Sequence, residues 1–242
     1  MRATAVRGIG VFLLVLSVML GADEPSADLP DEARRLLEAG ESAFDAEALG
    51  RARSLFDQLA RSGVPSPSVP YYQARVALAL VGIHAWRKET DRALGEIDQA
   101  IASARTAIQQ LPQHSDAHRI LGEAYGRLIS LKGGMTGVLY GRRSYNELAL
   151  ALKLDPDNPR AALAMGIWKL RTPKLFGGDP DEAVRHFQKA IQLEAASVQA
   201  RVWLGIALRE RGQRAEAREV LERAVALQPQ NVWARSELDR LR

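Results

Sequence analysis

From Asp31 onward, apolar residues recur at spacings of three and four in a stretch rich in alanine and leucine with few β-branched runs. This is the pattern of helices that each bury one stripe. The clearest unit starts at Val198, "VQARVWLGIALRERGQRAEAREVLERAVALQPQ". Small residues at Gly205, Ala217 and Ala224 would let two antiparallel helices approach closely, while Leu204, Leu208 and Leu221 fill the space between them and Pro229 stops the second. A hairpin of this kind cannot bury its apolar face alone, so the pattern predicts further copies stacked on it.

With Gly205 as marker, small residues recur at Gly166, Gly122, Ala74 and Gly40. Second-helix signatures follow as Ala183/Phe187/Ala190, Ser144/Leu148/Ala151, Ala100/Ala104/Ala107 and Ala52/Phe56/Leu59. The expected hairpins span about 33–66, 67–114, 115–158, 159–197 and 198–231, within a domain of residues 31–242 that ends in a capping helix over 232–242. Leu204-Gly205, Leu208, Gly212, Ala217, Leu221, Ala224 and Pro229 sit at the offsets of a tetratricopeptide repeat (TPR), and the chain resembles that family. The resemblance implies an all-α, right-handed α-α superhelix: a TPR solenoid of about five helical hairpins plus a C-terminal capping helix.

The marker intervals are 34 residues from Gly40 to Ala74, then 48, 44 and 39. Against a family period of about 34, the three middle units carry 14, 10 and 5 extra residues. The spacing from Gly178 to Ala183, matching that from Gly212 to Ala217, puts the fourth unit's extra residues in its inter-helix turn, Thr172 to Phe176. The third unit's are expected between its helices, Leu131 to Arg143, and the second's within Gly82 to Gly95. Successive inter-helix turns of a solenoid emerge on one edge. Met135, Val138, Leu139, Tyr140, Leu175 and Phe176 would therefore share an apolar rim open to a partner.

Paired glycines before a helix can cradle a phosphate, which makes "RTPKLFGGDPDEA" (Arg171 to Ala183) worth weighing. Asp179 suits an N-cap, Pro180 the first helical position and Glu182 capping-box spacing, so the stretch reads as helix-start punctuation already filled with negative charge. Its Phe-Gly-Gly-Asp turn also resembles that of the periplasmic helical component associated with TRAP-type transporters. His114 and His118 have the i, i+4 spacing of a metal pair. Yet His114 falls where Asn158 and Asn231 fall in other units, so the pattern predicts a turn residue beside a surface histidine. Gly133, Gly134, Gly137 and Gly141 lack the strand and the Lys-Ser/Thr ending of a nucleotide loop. No spacing pairs a nucleophile with a base, and Trp86, Trp168, Trp203 and Trp233 read as packing. The expectation is a non-enzyme without metal or cofactor.

The family resemblance implies a concave groove lined at fixed offsets from the marker. Here those positions include Tyr71, Arg75, Arg119, Arg127, Arg160, Arg171 and Arg209, a set suited to an anionic protein or peptide. Asp116, Glu123 and Glu210 fall in the same set, so a solvated face of internal ion pairs is the competing reading. The lysine/asparagine clamp of chaperone-binding relatives is absent.

Composition adds an address. Arg2 and Arg7 precede an apolar run from Ile9 to Leu20, followed by Gly21 and Ala22, which reads as a signal peptide over residues 1–22 with a linker over 23–30. Contact with a membrane would follow only if that segment stayed uncleaved. The chain has no cysteine and a formal charge of +4, of which Arg2 and Arg7 supply two, and it has no basic run to hold nucleic acid. The expected function is a protein- or peptide-binding scaffold or adaptor of the periplasm or cell envelope. The alternative is a periplasmic accessory of a transporter, holding a small apolar molecule between the helices and the rim.

Overall fold

The structure is a computed structural model, and it describes residues 31–63 and 66–241. The signal segment and linker expected over residues 1–30 lie outside the described residues. The described chain is helical throughout. Hairpin 1 pairs α1 (Asp31–Ala43) with α2 (Ala46–Arg61), hairpin 2 pairs α3 (Val69–Trp86) with α4 (Thr90–Gln110), and hairpin 3 pairs α5 (Ser115–Lys132) with α6 (Met135–Leu154). Hairpin 4 pairs α7 (Pro159–Arg171) with α8 (Pro180–Leu193) across a short 3-10 turn at Lys174–Phe176. Hairpin 5 pairs α9 (Val198–Glu210) with α10 (Arg214–Leu227), and α11 (Val232–Asp239) closes the stack.

Helix starts are set by short polar side chains that satisfy otherwise orphaned amides. His114, Asn158, Ser197 and Asn231 precede successive first helices, and each accepts from the amide three residues on, at 3.1, 2.9, 3.4 and 2.9 Å. Asp45 and Asp179 do the same for α2 and α8. Helix closeness is set by the markers. A Cβ on Gly40, Gly122, Gly166 or Gly205 would come within 2.7 Å of Leu49, 2.8 Å of Leu148, 2.5 Å of Phe187 or 2.6 Å of Leu221. Each marker glycine is thus the space into which a large side chain of the second helix projects. Hairpin 2 has Ala74 instead, and in its second helix the small Ala104, fully buried, holds the repeat position that Leu148 holds in hairpin 3.

The extra residues fall differently from expectation in two of the three units. In hairpin 4 they do lie in the turn: α7 and α8 are 13 and 14 residues long, the same as α9 and α10. In hairpins 2 and 3 they lengthen the helices instead, to 18 and 21 residues and to 18 and 20. α3 runs through Gly82 to Trp86, and α6 begins at Met135, so Gly133 and Gly134 are the whole turn of hairpin 3. Their φ values of +61° and +50° suit a two-residue reversal. Both arms grow together because a tight turn requires antiparallel helices to end at one height. At 1.5 Å per residue, the seven residues by which α4 exceeds α8 carry the tip of hairpin 2 about 10 Å farther out.

The buried apolar residues form one cluster through hairpins 1 to 3 and another through hairpins 4, 5 and α11, with Leu148, Ala164 and Met165 packed between. The projecting tips have their own satellite, Val81, Ile97 and Leu128, flanked by Leu131 and Tyr140.

Candidate functional site

The first helices α3, α5, α7, α9 and α11 touch in succession, so they line one inner wall. The expected groove residues lie along it in two different conditions. Tyr71, Arg75 and Arg119 are buried and fully engaged. Arg75 forks onto Glu41 at 3.2 and 2.7 Å, and Arg119 reaches Asp116 at 2.5 and 2.9 Å and Glu123 at 2.7 Å. Tyr71 donates to Asp116 at 2.9 Å, and the Asn158 amide approaches the same carboxylate at 3.5 Å. Burial alone would raise the Asp116 pKa, but the charge and hydrogen bonds of Arg119, with Arg160 and Arg75 nearby, hold it well below the usual carboxylate range. Burial and the Asp116 charge push the Tyr71 hydroxyl up. Asp116 is therefore a permanently charged hub joining hairpins 2, 3 and 4.

Arg160 and Arg171 differ: their side chains are 47% and 52% exposed, and their carboxylates, Glu41 and Glu210, stand off at 3.7 and 3.5 Å. Arg171 also lies over the Trp203 ring at 5.0 Å. Arg127 is half-buried and makes no ion pair among the described residues. Arg209 holds Glu237, itself buried, at 2.6 Å, and so clamps α11 to hairpin 5. Glu41 and Glu237 are outside the set expected from the sequence. Glu41 follows its marker Gly40 by one, as Arg75 follows Ala74, so the same offsets would have found it.

Of the rim residues, Met135, Val138, Leu139, Leu175 and Phe176 are exposed, Leu175 by 88%. Tyr140 is half-buried, with its ring 5.2 Å from that of Tyr125 and the Arg143 guanidinium 5.4 Å from its centre. Trp86, expected in the packing, is 65% exposed at the tip of hairpin 2. The covered part of α3 ends at Ile83, which is buried three residues earlier.

The stretch between Arg171 and Ala183 resolves into backbone needs. Gly177 has φ +95°, and a Cβ on Gly178 would fall 1.7 Å from the Thr172 carbonyl oxygen. One glycine supplies a left-handed turn and the other a close approach. Asp179 accepts from the Asp181 and Glu182 amides at 2.8 and 3.0 Å. The reciprocal half of the expected capping box is not made: the Asp179 amide bonds the Lys169 carbonyl at 2.9 Å, and the Glu182 side chain pairs with the Lys169 ammonium.

The two histidines are not a metal pair. His114 Nδ1 is occupied by the Ala117 amide. His118, expected at the surface, is buried; its Nδ1 lies 2.7 Å from Glu147 and its Nε2 3.1 Å from the Pro112 carbonyl. It turns inward because α6 passes beside it with a carboxylate. Burial opposes the charge, but two acceptors favour an imidazolium that donates from both nitrogens, and the pKa is raised above 6.5. A raised value means stability present below about pH 6.5 and lost as pH rises through the folded-state value. Urea midpoints are expected to fall across that window in the native chain and to lose this slope in His118→Gln.

The family description "Regulator of microtubule dynamics protein 1-3" matches residues 32–239. No curated protein matches the chain by sequence. Among solved structures, TTC0263, a thermophilic TPR protein of Thermus thermophilus, aligns over 86% of this chain and 98% of its own at 20% identity and a TM-score of 0.66. The HusA haemophore from Porphyromonas gingivalis aligns over 74% of this chain and 94% of its own, at 22% identity and a TM-score of 0.59. These likenesses establish the fold as a TPR solenoid.

Proposed function

Because the chain belongs to the family described as regulator of microtubule dynamics protein 1-3, we propose that it acts by binding, as a non-catalytic scaffold for protein or peptide on the inner wall of its solenoid. The observation that carries this reading is the division among the wall's arginines. Buried Arg75 and Arg119 hold their carboxylates in short bidentate contacts and are structural. Half-exposed Arg160 and Arg171 hold theirs loosely, and Arg127 holds none among the described residues, so these three have donors to offer a partner's carboxylates. Exchanging a loose internal pair for a partner's carboxylate loses little, since exposed ion pairs contribute about 0–1 kcal/mol. Trp203 beside Arg171 would add an aromatic surface.

The partner class is an acidic protein segment. Against an array of peptides, the full chain should select sequences enriched in aspartate and glutamate, and Arg127→Glu with Arg171→Glu should weaken them at least about tenfold, with raised salt acting in the same direction. Selection unchanged by the double substitution would overturn the reading. Arg119 is unsuited to this test, because its loss would disturb the hub.

We propose also that binding takes place after export, in the periplasm or cell envelope. The support is the sequence of Arg2, Arg7 and the apolar run Ile9 to Leu20. A reporter active only outside the cytoplasm, fused after Pro30, should give signal; silence would sink the address.

A further inference from the structure

The turn edge of the solenoid has a composition unlike that of the groove. Of the eleven large apolar side chains exposed among the described residues, seven stand at inter-helix turns of hairpins 1 to 4, including Trp86, Met135, Val138, Leu139, Leu175 and Phe176. The remaining four, Leu150, Leu193, Leu227 and Val232, lie toward the opposite edge, at the far ends of α6, α8 and α10 and the start of α11. Hairpin 5 turns through Arg211-Gly212-Gln213 and brings no apolar residue to this edge.

Charge follows the same division. Arg87, Lys88, Lys132, Arg142 and Lys174 stand around the apolar tips, and none makes an ion pair among the described residues; Arg143 engages only the Tyr140 ring. Within residues 86–89, 131–143 and 172–178 the one acid is Glu89, taken up by His84 and Arg92. On the inner wall, by contrast, Arg75, Arg119 and Arg209 are neutralised by internal carboxylates in short contacts. Asp179, Asp181 and Glu182, just past the third segment, are engaged in the fold, as the cap of α8 and as partners of Arg211 and Lys169, so the edge is apolar and carries unpaired positive charge.

We propose that this edge, from the tip of hairpin 2 to the 3-10 turn of hairpin 4, docks on an anionic lipid bilayer. Protruding Trp, Phe, Leu and Met side chains with unpaired Lys and Arg beside them are what an interface of acyl chains beneath negative headgroups accepts. The elongated hairpins bring the tips forward of the solenoid body, and Leu175 and Phe176 ride on a loop whose removal from water costs no internal contact. A soluble acidic protein would match the charge but would leave isolated, outward-pointing apolar tips without pockets to enter. The inner wall stays free, so docking is independent of the binding proposed for the groove.

The absence of cysteine allows a direct test on the full chain. Leu175→Cys and Val138→Cys, each carrying an environment-sensitive fluorophore, are compared with Leu193→Cys on the opposite edge. With vesicles of phosphatidylcholine and phosphatidylglycerol in equal parts, the labels at 175 and 138 should shift to the blue and be quenched by nitroxide-bearing lipid, and the label at 193 should not. Lys132→Glu with Lys174→Glu should weaken the response about tenfold or more, because each cation near a charged surface adds to the attraction. Labels at 175 and 138 that stay in water would overturn the proposal, even if the N-terminal apolar run brings the chain to the vesicle. So would an equal response on phosphatidylcholine alone, or a blue shift that grows with protein concentration without lipid, which would assign the edge to a second copy of the chain.

Discussion

Gly178→Ala is expected to destabilise the protein by about 3–5 kcal/mol, the range in which a single substitution forces backbone to move. The added Cβ would stand 1.7 Å from the Thr172 carbonyl oxygen and 2.6 Å from its carbon, neither of which can turn aside as a side chain can. The Asp179 amide bond to Lys169 and the whole start of α8 depend on that close passage. Gly177→Ala, one residue earlier, is a graded control. Its φ of +95° makes alanine strained but the nearest atoms are those of the Trp168 ring at 3.4 Å, so a loss of about 1–2 kcal/mol is expected. Urea denaturation followed by circular dichroism measures both. Equal losses at the two positions would show that the turn relaxes freely and that the approach to Thr172 is not what requires glycine.

The second large effect concerns the hub. Arg119→Leu should cost about 3–5 kcal/mol, because it leaves Asp116 buried without its main counter-charge. Adding Asp116→Asn to it should restore much of the loss, since the uncompensated charge is then gone. The pH dependence should change with it. In the native chain the depressed Asp116 pKa contributes stability that is present above the unfolded value of about 3.9 and lost as pH falls toward the folded one. In Arg119→Leu, burial is no longer outweighed and the folded pKa rises. The deficit relative to the native chain should then shrink on acidification, and a deficit constant from pH 4 to pH 7 would contradict the hub.

Much of the architecture was legible because its causes are local. Each marker glycine records a collision that would occur with Leu49, Leu148, Phe187 or Leu221, so the repeat could be read from small residues alone. The cap residues His114, Asn158 and Asn231 could be aligned because all answer the same orphaned amide. The length of hairpins 2 and 3 was not legible. An insertion shared equally by two antiparallel helices leaves the same residue count as a loop, and Gly133-Gly134 looks alike whether it is a turn or the middle of one. The groove was half legible: offsets put arginines on the inner wall, but which of them are buried depends on the carboxylate each one meets, Glu41 for Arg75 and Asp116 with Glu123 for Arg119, while Arg160 and Arg171 hold theirs only loosely. His118 turned inward for the same reason, because Glu147 on another helix supplies its partner.

The satellite of Val81, Ile97 and Leu128 has a consequence for how the chain acquires its shape. In a linear array every unit gains most of its stability from its two neighbours, so ordering can start anywhere. Here the longer hairpins 2 and 3 share this additional apolar coupling toward their tips. Their helices are also the longest among the described residues, so the nucleation cost of a helix is spread over more residues there than elsewhere. Ordering of the chain is therefore expected to be seeded from α3 to α6 and to spread outward, toward α1 on one side and α11 on the other, with amide exchange fastest in the outermost helices.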